Sequence, residues 1–287
     1  GGRAISRNVF FRGESMNSNR TMGAIIVALA TTAGIASADQ VFFQGFESDT
    51  VGWLDNDDFA GYGSVTAVAS GTGSVTSFTG SQHAVFEQTA GSGGSAAFTR
   101  FDGYRNTWSG GMTARASVYM DTSWALGEGF DYSVAANDQS GVHLQDFIFH
   151  VTKDTSTGEL LVGGSNNTNF DPREDIETLN HYSIGTSGWF TFEHNFRDFG
   201  DGTLAVDLNL YDASGTLVFT ETRHDPGNVL ATVVGGNRYG WFTNIDIAGG
   251  INVDDVSLTV VPLPPAMLAG MGMLAGIAGV RKVRRGK

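Results

Sequence analysis

The chain has 287 residues, no cysteine, 40 glycines and a formal net charge of −13. Only eight of its 17 Lys and Arg fall between residues 39 and 260, with 29 of its 30 Asp and Glu, so a strongly acidic middle is flanked by basic ends. That balance argues against nucleic acid as a partner. The missing cysteines exclude a disulfide framework, a thiolate nucleophile and a cysteine-based zinc site.

Residues 1–15, GGRAISRNVFFRGES, precede a complete export signal and read as an upstream extension, with translation expected to begin at Met16. Residues 16–38 have the layout of a secretory signal peptide. Arg20 supplies the positive start, Met22 to Ile35 the apolar core, and Ala36-Ser37-Ala38 the A-x-A cleavage site. The core predicts a helix too short to span a bilayer comfortably, and the mature chain is expected to begin near Asp39.

From residue 39 to 260 the pattern is that of half-buried antiparallel strands. In GMTARASVYMD, Met112, Ala114, Ala116, Val118 and Met120 alternate with Thr113, Arg115, Ser117 and Tyr119. GWFTFEHNFRD places Phe190, Phe192 and Phe196 on one face, and TLAVDLNLYD does the same with Leu204, Val206, Leu208 and Leu210. The turn sequences FGDGT (Phe199 to Thr203) and DASGT (Asp212 to Thr216) make this region a meander. Turn spacing predicts about a dozen strands and two stacked antiparallel sheets. The polar stretch Gly164 to Asp175 reads as a loop within one domain.

Three segments, VFFQGFESDTVGW, GWFTFEHNFRD and NRYGWFTNIDIAGGINVDDVSLTV, resemble those of concanavalin A or laminin-G type jelly rolls. The resemblance implies an all-β, two-sheet antiparallel jelly-roll sandwich whose first and last strands pair, flanked here by the signal helix and a C-terminal membrane helix. It does not imply an activity.

No catalytic residue set stands out. The strand-borne E-x-D-x-x-E of polysaccharide hydrolases is absent, and the EDIE cluster (Glu174 to Glu177) falls in the loop-like stretch. No G-x-S-x-G occurs, and no zinc-type histidine spacing. His143 and His150, seven apart, are expected on opposite strand faces; His194, on the Phe190/Phe192 face, is expected to be a packed core histidine. Asp55 and Asp57, and separately Asp198 and Asp201, are candidate calcium ligands, although aspartate is also what turns prefer. Among the five tryptophans, core burial is expected for each singly. Trp108, within YRNTWSGG, is the best candidate for an exposed ring that contacts carbohydrate.

The C-terminus, VPLPPAMLAGMGMLAGIAGVRKVRRGK, has three ordered parts. They are the stiff Val261-Pro262-Leu263-Pro264-Pro265, an apolar run to Val280, and a basic cluster of Arg281, Lys282, Arg284 and Arg285. The positive-inside rule holds that cluster on the cytoplasmic side while the acidic domain lies outside the inner membrane. The three parts resemble the PEP-CTERM sorting signals of Gram-negative bacteria, in the variant written VPLPA, with Pro265 standing where that variant has Ala. The resemblance implies recognition by an exosortase-type membrane transpeptidase, transient residence in the inner membrane, tail removal, and a cell-surface or extracellular product linked with exopolysaccharide. Residues 261–287 are thus the sorting signal and 39–260 the domain it delivers. The expected role of that domain is structural or adhesive, without catalysis, in an extracellular matrix. A carbohydrate-binding module, assisted by calcium, is the alternative, and a polysaccharide-active enzyme comes third.

Overall fold

The computed structural model describes residues 38–89, 94–108, 110–167, 173–224, 227 and 229–261. Most of the expected signal peptide, the prolines of the sorting motif, the apolar run and the basic cluster lie outside these residues. Among the described residues, no helix is long and apolar enough to cross a membrane.

Among the described residues, fifteen strands form two antiparallel sheets. Sheet A is ordered β13 (Leu217–Arg223), β12 (Leu204–Asp212), β11 (Gly188–Asp198), β6 (Met112–Met120), β15 (Ile251–Val260), β4 (Gln82–Glu87) and β3 (Ser64–Ala69), with β1 (Asp39–Gln44) paired along β15. Sheet B is ordered β10 (His181–Ile184), β9 (Leu160–Asn166), β8 (His143–Lys153), β7 (Gly129–Asp138), β14 (Val234–Thr243), β5 (Ser95–Thr99) and β2 (Trp53–Leu54). This is the all-β sandwich of two antiparallel sheets that the strand and turn pattern predicts, with the jelly-roll form that the resemblance implies. The first and last strands pair directly, Asp39 opposite Val260.

The inward faces follow the alternating residues. Across sheet A, Ala116, Phe192, Leu210 and Phe219 lie in one cross-strand row. The small Ala116 beside the large Phe192 leaves room for rings from the other sheet. Phe130 and Phe149 of sheet B meet the Phe192 ring edge-on, with centroids 5.9 and 5.0 Å away. Gly164 marks a close approach of the sheets, since a Cβ there would stand 2.4 Å from Leu208 Cδ1.

Two details depart from the simple pattern. The stretch expected to be loop from Gly164 is strand as far as Asn166, and Arg173–Thr178 forms a 3-10 turn that buries Ile176 over Gly163. The register of β15 also shifts between Asp254 and Ser257, with Asp255 at φ 47°. Ile251 and Val253 point inward before this bulge and Val256 and Leu258 after it, which is why the sequence carries one extra residue between the two apolar pairs.

Candidate functional site

The outward face of sheet B carries most of the chemistry. Cross-strand register places Phe98, Trp241, Ser133, Ile148 and Ser165 in one row. A second row holds Thr243, Asp131, His150, Gly163 and His181. With ~4.8 Å between neighbouring strands and ~3.4 Å per residue along them, Trp241 on β14 and His150 on β8, two strands and two residues apart, are separated by about 12 Å.

One half of this face is aromatic. Tyr62, Phe98, Arg100, Tyr104, Tyr239 and Trp241 line a cleft of about 160 Å³. That is smaller than the ~300–1,000 Å³ of sites that engulf a drug-sized ligand, so it suits one ring laid on the surface. Phe98 and Tyr62 are 5.3 Å apart, Tyr62 and Trp241 6.3 Å, and Trp241 and Tyr239 5.7 Å. The run continues to His143, which lies parallel to Tyr239 at 6.2 Å. The Trp241 indole N–H is spent on the Ala96 carbonyl at 2.9 Å, which fixes the ring and leaves it an apolar platform. Burial, with Asp146 accepting from its hydroxyl, drives the Tyr239 pKa up and keeps the phenol neutral.

The other half is polar. Asp131 Oδ1 lies 2.7 Å from His150 Nδ1, and His150 Nε2 lies 2.7 Å from Ser165 Oγ. Asn244 donates to the second Asp131 oxygen at 2.6 Å. The order Asp–His–Ser is that of an acyl-transfer triad, but Ser165 is fully buried and its hydroxyl is not presented to a substrate. The group therefore reads as a buried hydrogen-bond relay that orients His150. Arg173, Glu174, Asn244 and Asp246 complete a recess of about 370 Å³ above it.

His143 corrects an expectation. A register shift between Ala136 and Asn137 on β7 places His143 opposite Asn137, on the face that carries Asp146 and His150. Its Nε2 lies 2.6 Å from Asp146 Oδ2. Spacing by seven puts residues on opposite faces only in an unbulged strand. His194 is a packed core histidine, fully buried, with Nε2 donating to the Phe147 carbonyl at 3.1 Å.

The acidic candidates are engaged in turns. Asp55 Oδ1 accepts from the Asp57 N–H at 2.9 Å and its Oδ2 from the Val65 N–H at 3.1 Å. Asp198 Oδ1 accepts from the N–H groups of Gly200 and Gly202, and Asp201 Oδ1 from the Thr203 N–H. The two sets lie toward opposite edges of sheet A and build no common site. Among the described residues, no three His, Asp or Glu side chains converge as metal ligands do.

No protein-family model matches the chain, and no curated protein matches it. Solved structures with a similar trace include three carbohydrate-related proteins. The CBM2 module of the Lactobacillus casei BL23 phage J-1 evolved Dit is 15% identical with a TM-score of 0.45, over 79% of this chain and 97% of that one. A carbohydrate esterase of the Shiga toxin-encoding bacteriophage phi24B is 14% identical with a TM-score of 0.45, over 78% and 100%. The PL-14 alginate lyase from Aplysia kurodai is 11% identical with a TM-score of 0.42, over 75% and 100%.

Trp108 is not the freely exposed ring that its loop context suggested. It is half-buried, packs against the core and lines a narrow recess with Arg105, Met112 and Asn237. Trp53 and Trp189 are buried, and Trp124 packs on Phe130. Trp241, not singled out in the sequence, is the tryptophan of the aromatic run. The signal was present in RYGWFT: a strand with rings at both parities, Tyr239 and Trp241 against Phe242, must put one set outside. Of the sorting and cleavage residues, Ala38 and Val261 are described. Ala38 immediately precedes β1, and the Val261 N–H donates to the Gly111 carbonyl at 2.9 Å. Ala36, Pro262, Leu263, Pro264, Pro265, Arg281, Lys282, Arg284 and Arg285 lie outside the described residues.

Proposed function

We propose that this chain is an exported, surface-sorted carbohydrate-binding protein whose β-sandwich holds a glycan on the outward face of sheet B. The observation that carries the reading is the aromatic run from Phe98 through Tyr62 and Trp241 to Tyr239, half-buried yet open to solvent. Buried rings are explained by the core; a contiguous set of rings on the outer side of a sheet is not. The apolar faces of sugar rings pack on flat aromatic surfaces, and phenol and guanidinium groups at the margin supply hydrogen bonds.

In this reading the domain binds without turnover. The buried Ser165 hydroxyl supports that, because the Asp131–His150–Ser165 arrangement on the face offers no accessible nucleophile. The delivery route implied by the PEP-CTERM-like tail fits the same geometry. The tail follows β15, a strand of sheet A and not of sheet B.

A glycan array probed with the domain of residues 39–261 tests the reading. Selective signal on polysaccharide is expected, and silence across neutral, uronic and sulfated glycans would leave only a structural role.

A further inference from the structure

We infer that the aromatic cleft selects an anionic sugar unit, one bearing a carboxylate or a sulfate, through Arg100 and Arg238. The inference rests on the carbohydrate-binding reading and narrows its ligand class.

The described domain contains eight basic Lys and Arg side chains: Arg100, Arg105, Arg115, Lys153, Arg173, Arg197, Arg223 and Arg238. Four are committed to carboxylates: Arg115 to Glu193, Arg173 to Asp246, Arg197 to Asp207 and Arg223 to Glu221. Lys153 donates to the Thr122 carbonyl and sits near Asp121, and Arg105 is bonded to the Phe101 and Gly103 carbonyls with Asp102 beside it. Arg100 and Arg238 differ. Neither forms an ion pair among the described residues, although acidic groups far outnumber basic ones. Each instead rests on rings of the cleft. Both guanidinium carbons lie 5.2 Å from the Tyr104 centroid, with Phe98 5.8 Å from Arg100 and Tyr239 5.9 Å from Arg238.

Chance placement does not account for this arrangement. In a domain this acidic, an arginine left without a carboxylate forgoes a favourable partner, and two such arginines converge on one tyrosine at the one aromatic cleft described above. Stacking on the rings orients the planar guanidinium while leaving N–H donors for a ligand. Arg238 has one nitrogen tied to the Gly141 carbonyl at 2.6 Å, which fixes the side chain further. A sugar carboxylate or sulfate accepts from such a fork in the bidentate geometry that neutral hydroxyls cannot match. The repulsion of a polyanion by the acidic remainder is screened beyond ~8 Å at physiological salt, whereas the two arginines act at contact.

The test compares wild type, R100Q, R238Q and W241A by affinity electrophoresis in gels containing a polyuronate, a sulfated polysaccharide, or a neutral glucan and mannan. Arg100 is exposed and its side chain makes no hydrogen bond among the described residues, so R100Q should leave the thermal midpoint nearly unchanged; it keeps the test sound even if R238Q folds poorly. The expected result is retardation by at least one anionic polymer, weakened about tenfold or more in R100Q and abolished in W241A. The two anionic gels separate carboxylate from sulfate as the source. Equal retardation by neutral polymers, unaffected by R100Q, would overturn this inference and leave the carbohydrate-binding reading standing. No retardation in any gel would overturn both.

Discussion

His194 on sheet A donates its Nε2–H to the Phe147 carbonyl oxygen on sheet B, 3.1 Å away across the interior of the sandwich. The bond fixes the tautomer, so Nδ1 carries a lone pair among Tyr132, Phe149 and Phe196. Burial pushes the imidazole pKa down to about 3, against a partial opposing effect of the bond to Phe147. A histidine with a lowered folded-state pKa takes up its proton in the unfolded chain first. Its contribution to stability is therefore complete above about pH 6.5 and is lost progressively as pH falls toward 3, by on the order of 5 kcal/mol in all. Urea unfolding from pH 7 to pH 4 should show this loss, and H194Q, which can keep the donor, should show a shallower slope. Parallel slopes would contradict the assignment.

Asp254 acts in the opposite direction. It is buried at the β15 bulge, accepts from the N–H groups of Phe78 and Thr79, and has Asp255 as its neighbour. Burial pushes its pKa up to about 6, against those hydrogen bonds. Here the folded state holds the proton more tightly, so this residue's contribution weakens as pH rises from about 4 to about 6. Carbon-detected NMR of the Asp254 carboxyl should show a midpoint near 6, where an exposed aspartate titrates near 3.9.

Asp198 and Asp201 cap the β11–β12 turn through backbone N–H groups. Replacing Asp198 by Ala removes two acceptor contacts and should cost about 1–2 kcal/mol of stability. Because these oxygens already serve the backbone, EDTA should leave the thermal midpoint of the wild type unchanged. A midpoint that falls with EDTA and returns with calcium would instead support a calcium site there.

Export and sorting remain tied to the residues that suggested them. If the tail is processed as proposed, intact-mass analysis of protein recovered from the cell surface should give an N-terminus near Asp39 and a C-terminus at or shortly after the Val261–Pro265 segment. Replacing Arg281, Lys282, Arg284 and Arg285 with Gln should reduce processing. Recovery of unprocessed protein at the same level from both strains would contradict the route.

How much of this was legible in the sequence follows from how each feature is encoded. Strands such as β6 and β12 were plain because one face is buried, and alternation records burial directly. The bulges were not, because a bulge is a register relation with a partner strand. Without β7, nothing in the spacing of His143 and His150 tells that they share a face. The outward aromatic face of sheet B is hidden in the sequence for a related reason. Composition ranks a tryptophan as core by default, and Trp241 becomes informative only when its partners Phe98 and Ser133 show that its side of β14 faces outward. Glycine and serine around Trp108 give it a loop context, yet the loop folds its ring back onto the core.

The central claim is that a glycan lies on the aromatic run of sheet B. Isothermal titration of a polysaccharide selected by the array, against wild type, W241A and W108A, tests it most directly. W241A should lose at least tenfold in affinity, about 1.4 kcal/mol or more, while keeping a cooperative melt at a midpoint lowered by loss of the Ala96 bond and the ring contacts, and W108A should bind as wild type does. Full affinity in W241A, or loss confined to W108A, would contradict it.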